Sequence, residues 1–148
     1  MKKKHLKILY FLLLFLSVLL IFQKTLFRHQ MSSRYFELAP FWKFWGSLRN
    51  KKKINSDVVK NVFLFAPFGF SLYLINRNKL RVLVIGFITS LSIELTQLIF
   101  KLGWFETEDI LNNVIGTALG LFVSWCLTAL IRKIWKSKDV QQSNKENI

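Results

Sequence analysis

The chain has 148 residues, about one domain's worth, and 52% of them are hydrophobic, including 15 Phe. A soluble domain of this size could not bury so many large apolar side chains, so composition excludes a water-soluble fold and favours a membrane protein. The formal charge of +14 would allow a nucleic-acid partner, but it is scattered over separate flanks with no basic helix or nucleic-acid motif, which points to lipid head groups and puts nucleic acid far behind.

The chain opens with "MKKKHLK" and an apolar run from Ile8 to Phe22. This has the form of a signal peptide, but the exit "FQKTLFRH" offers no small-x-small cleavage site, so the run is expected to stay as a first membrane helix. At roughly 22 Å it is short for a ~30 Å hydrocarbon core, and Leu6, the Lys7 stem and residues after Phe22 extend it. In the connection that follows, "LAPFWKFWGSLR" places Pro40 at a helix start and Leu38, Phe41, Trp42, Trp45 and Leu48 on one face. This predicts an interfacial aromatic segment that serves as an anchor or as a lid over a site between the helices.

Three further runs, Val58–Ile75, Leu80–Phe100 and Leu111–Ile131, each have about bilayer length. The expected fold is all-α, an integral membrane bundle of four transmembrane helices. Residues 1–134 form the membrane domain, and 135–148 form a polar cytoplasmic tail expected to be disordered. The N-terminus, the 76–81 turn and the tail are basic and lie on one side of a four-span bundle, which the positive-inside rule makes cytoplasmic. "KKK" at 51–53 on the other side opposes this orientation, but three short concordant flanks outweigh it. Cys126 stands alone in an apolar run, and His5 and His29 flank the first one; no Cys/His cluster exists to hold a metal, and no cofactor is implied.

Polar residues inside the apolar runs are the informative ones, because an ionisable group at membrane depth costs roughly 2.5–3.5 kcal/mol and usually faces a partner inside the bundle. Ser90, Glu94, Gln97 and Lys101 fall on one face of the third span. Asp109, Asn113, Gly116 and Gly120 form a stripe on the fourth, whose G-x-x-x-G lets another backbone approach closely. Asn61 lies near the outer end of the second span, ahead of Pro67 and Gly69; Pro67 removes a backbone donor and is a candidate kink. Three helices therefore bring polar groups to the outer half of the bilayer. Hydrogen-bonded helix glue is the structural alternative, worth ~0.6 kcal/mol per contact on average. Glu106 and Glu108 are read as solvated residues of the connecting loop.

The blocks "NVFLFAPFGF" (61–70), "SIELTQ" (92–97) and the Asp109-to-Gly120 stripe, with "LAPF" (38–41) upstream, resemble the VanZ-like family over about residues 35–125. The resemblance implies a small bacterial membrane protein of the type linked to teicoplanin resistance, with no established molecular activity. It carries Asn61, Glu94, Gln97, Asp109 and Asn113 over as candidate ligand-binding residues, and Pro67, Gly69, Gly116 and Gly120 as structural ones. Many members have an Arg before the acidic cluster; here the stretch is "LGWFE", with Gly103 and Trp104, and Lys101 is the nearest substitute cation, without the planar fork of Arg.

These residues contain no Ser/His/Asp set and no histidine at membrane depth, so the expectation is a non-enzymatic envelope protein. It would bind an amphiphile or lipid-linked molecule at the outer leaflet, with membrane lipids, a lipid-linked cell-wall precursor or a lipoglycopeptide as partners and homo-oligomerisation left open. The alternatives are a membrane enzyme using its two carboxyls as acid and base on a lipid head group, and a proton-linked carrier using Glu94.

Overall fold

The computed structural model describes the backbone of residues 2–26, 32–41, 45–46, 49 and 56–146, with side chains for these except 2–3, 25–26 and 138–146. Four helices dominate: α1 (Lys2–Leu26), α2 (Ser56–Asn76), α3 (Lys79–Ile99) and α4 (Thr107–Glu146). Two short strands, β1 (Phe36–Glu37) and β2 (Phe105–Glu106), pair in parallel, with Phe36 opposite Phe105 and Glu37 opposite Glu106. Each helix contains a segment long and apolar enough to cross a membrane: Lys4–Lys24, Ser56–Asn76, Lys79–Ile99 and Thr107–Ser137. The protein is a multi-pass, all-α membrane bundle, as its apolar runs require.

The bundle is built on the contact between α2 and α4, the most extensive in the molecule. A Cβ on Gly120 would lie 1.8 Å from the Ala66 carbonyl oxygen, one on Gly116 2.4 Å from that of Val62, and one on Gly69 2.1 Å from that of Thr117. Glycine is required at all three places because the facing atoms are backbone and cannot yield. In lipid there is little hydrophobic drive between helices, so this close approach and its dispersion contacts hold the pair together. Thr117 is the crossing point of three helices. It is fully buried, and its side chain also fills the space in front of Gly86 on α3.

The connection from α2 to α3 takes two residues. Arg77 adopts φ 60°, and the Asn78 side chain caps α3 by accepting the Arg81 N–H at 3.0 Å. α2 runs unbroken through Pro67. α4 continues to Glu146, past the boundary at residue 134 that polarity suggests; residues 132–146 contain no Gly or Pro to end a helix.

α1 is the least embedded helix: its contacts are mainly with α2, and most of its apolar side chains face outward. Ser17 and Ile21 are its buried residues, with Lys24 partly covered on the same stripe. Ile21 joins Phe65, Phe68, Leu72, Tyr73 and Val82 in the apolar core.

The segment after α1 departs from a helix starting at Pro40. Residues 40–41 form a turn, Phe41 takes φ 59°, and helical geometry appears at residues 45–46 and 49, where the Trp45 N–H reaches the Phe41 carbonyl at 2.9 Å. The left-handed residue after Pro40 keeps residues 40–41 out of helical geometry. Leu38 and Trp45 are exposed, while Trp42 and Leu48 lie outside the described residues.

Candidate functional site

α3 ends in a Schellman turn. The Leu102 N–H bonds the Gln97 carbonyl at 2.8 Å, the Lys101 N–H bonds that of Leu98 at 3.4 Å, and Lys101 takes φ 56°. This turn corrects one sequence expectation. Ser90, Glu94 and Gln97 share a buried face, but Lys101 has left the helix and is exposed. It does not line the cavity described below.

The chain then turns back across the end of α3. Phe105 N–H donates to the Tyr35 carbonyl at 3.0 Å, and two ring pairs, Tyr35 with Trp104 at 4.9 Å and Phe36 with Phe105 at 5.9 Å, tie residues 35–36 to this connection. The return places the Glu106 N–H against Glu94, whose Oε2 accepts it at 3.0 Å. The Glu94 carboxyl, only 2% exposed, is therefore fixed by the backbone of the next loop.

Two more residues correct the sequence reading. Glu106 and Glu108 were expected in water, yet Glu106 is buried and Glu108 fully so. Strand pairing draws Glu106 inward, and the glycine seam pulls the first turn of α4 against α2. Glu108 and Asn112 consequently line a groove of about 290 Å³ with Phe41, Val58, Val62 and Ile115. Glu108 and Asp109 occupy the first turn of α4, where carboxylates oppose the positive end of the helix dipole.

All five candidate ligand-binding residues, Asn61, Glu94, Gln97, Asp109 and Asn113, line one cavity. They are all buried and come from α2, α3 and α4. Asn113 Nδ2 donates to Ser90 Oγ at 2.9 Å, linking α4 to α3, and Thr117 Oγ1 donates to the Asn113 carbonyl at 3.0 Å. The cavity measures about 20 Å³, room for roughly one water molecule or one small polar group. Its chemistry is acceptor-rich: two carboxyl groups line it, and the amide oxygens Gln97 Oε1 and Asn113 Oδ1 are buried without a hydrogen-bond partner among the described residues.

The residue missed from sequence is Lys24. It lines the same cavity, and its ammonium donates to Asn61 Oδ1. The signal was present: Ser17, Ile21 and Lys24 are spaced four and three apart, one stripe of the first helix ending in a cation. Among the described residues no group of His, Cys, Asp and Glu has the arrangement of a metal site.

The fold and this cluster define a class: a small multi-pass helical membrane protein with an acid–amide constellation enclosed at one end of its bundle. The VanZ/LLP1 family profile matches residues 7–131, and the chain belongs to the VanZ/LLP1 family. The match begins within α1, so the helix that carries Lys24 is part of the family domain. No curated protein and no solved structure matches the chain.

Proposed function

We propose that the protein is a non-enzymatic component of the bacterial cell membrane, with both termini cytoplasmic. It binds an amphiphilic or lipid-linked molecule at the outer leaflet and thereby reduces sensitivity to teicoplanin-type lipoglycopeptides. The observation that supports this reading is the convergence of Asn61, Glu94, Gln97, Asp109 and Asn113 on one buried cavity. Helix glue alone would need pairwise contacts, not acceptors from three helices gathered around a shared space that keeps two amide oxygens available.

The size of the cavity refines the mechanism. About 20 Å³ admits one small donor group, such as an ammonium or hydroxyl, and not a whole head group. The ligand inserts a single donor between Glu94 and Asp109 while the remainder stays outside. There the groove beside Glu108 and Phe41 and the exposed aromatic segment offer apolar surface. Lys24 supplies a donor to Asn61. Glu94 is held in place by the Glu106 N–H, so the acceptor is already oriented when the ligand arrives.

The test is growth of a susceptible host under teicoplanin challenge. With membrane insertion verified, Glu94→Gln and Asp109→Asn are expected to lose the protection that the unaltered chain confers. Equal protection by both variants overturns the proposal.

A further inference from the structure

A second cavity lies at the opposite end of the bundle, between the start of α1 and the end of α2. It measures about 440 Å³ and is lined by Lys7, Tyr10 and Arg77 together with apolar residues that include Leu6, Phe11 and Leu74. α1 begins at this end and α2 finishes there, so Lys7 and Arg77 lie near the ends of the two membrane-spanning segments. The cavity thus has an apolar wall along the helices and two cations with a phenol at its rim.

We infer that this cavity is a binding site for an anionic phospholipid of the leaflet on the side of the chain termini, with the phosphate between Lys7 and Arg77 and an acyl chain along Leu6, Phe11 and Leu74. Three observations carry it. The volume accommodates a substantial part of an acyl chain or head group, unlike the water-sized cavity at the other end. The charge is complementary: basic pockets between membrane helices favour phosphate-bearing lipid head groups.

Third, the arginine is held in position. The Asn76–Lys79 turn fixes its backbone at φ 60°, its N–H bonds the Tyr73 carbonyl at 3.0 Å, and its guanidinium lies 5.7 Å from the centre of the Tyr73 ring. Its planar fork suits a phosphate. The neighbouring Lys79 is directed elsewhere, with its ammonium 3.7 Å from the centre of the Trp125 ring. The cations of this end therefore have separate roles, and those beside the cavity are Lys7 and Arg77.

The experiment is native mass spectrometry of the full chain, purified in neutral detergent and titrated with phosphatidylglycerol or phosphatidylcholine. Phosphatidylglycerol is expected to bind at one saturable site and phosphatidylcholine much more weakly. The double variant Lys7→Gln with Arg77→Asn removes both cations, and Asn tolerates the left-handed backbone at 77. It should bind phosphatidylglycerol about 30-fold more weakly. The control Lys133→Gln with Lys136→Gln removes the same charge from exposed positions of α4 and should leave binding unchanged. Equal binding of the two lipids, equal loss in the control, or unaltered binding by the Lys7 and Arg77 variant each overturns the site. Displacement of the lipid by a matching concentration of soluble glycerophosphate would mean an anion site without acyl recognition, and would overturn it too.

Discussion

α1 and α4 both lie against α2, but in different ways. α4 meets α2 backbone to backbone, with glycines at 69, 116 and 120 facing carbonyl oxygens. α1 meets it through side chains, Ser17, Ile21 and Lys24, and leaves most of its surface outward. The first contact has no slack, since a single added carbon collides with atoms that cannot move. The second is made of flexible parts. The polar cavity is bordered by both, so it has a rigid side built from α2, α3 and α4 and an adjustable side on which Lys24 sits.

The most severe way to test this contrast is Gly120→Leu. Its Cβ would fall 1.8 Å from the Ala66 oxygen and its remaining atoms further into α2. The helices must separate, at a cost of about 3 kcal/mol. Size-exclusion chromatography of the detergent extract is expected to show loss of the monodisperse species. A well-behaved Gly120→Leu protein would mean that the seam is not what holds the bundle.

The matching change on the other side is milder. Lys24→Ala withdraws an ammonium from Asn61 and from the carboxyl-lined cavity but leaves the backbone contacts intact, so it is expected to cost about 2 kcal/mol. Thermal unfolding in detergent should shift by a few degrees while the monodisperse species persists. Collapse of the protein on removal of Lys24 would show α1 to be as integral as α4, and the contrast between them would fail.

Much of this arrangement was legible in the amino-acid sequence. The four spans follow from apolar run length. The meeting of Asn61, Glu94, Gln97, Asp109 and Asn113 follows from helical spacing and the cost of polar groups in lipid. Periodicity could not report where helices stop being helices. Lys101 is in register with Gln97 only while the helix continues, and a left-handed residue ends that register. Glu106 and Glu108 read as loop residues because a two-residue strand pairing leaves no periodic signal. Lys24 was overlooked for a different reason: a lysine at the end of an apolar run usually reaches for the head groups, and the stripe it shares with Ser17 and Ile21 is short.

Lys101 provides the finest test, because it is the competing candidate for the cation of the site. It stands close in sequence to the position where the family resemblance implies an arginine, and in the structure it is exposed and absent from the cavity lining that includes Lys24. Its backbone, at φ 56°, is one that glycine adopts freely and a lysine adopts at some cost. Lys101→Gly removes both the charge and the strain, and glycine gives back part of the gain through the freedom of the unfolded chain. The expected outcome is a bundle stabilised by up to ~1 kcal/mol, seen as a slightly raised unfolding midpoint, with the proposed protection against teicoplanin unchanged. If protection disappears while the midpoint rises, the working cation is the one at the exit of α3. The adjustable side of the cavity would then be the α3–α4 connection and not the first helix.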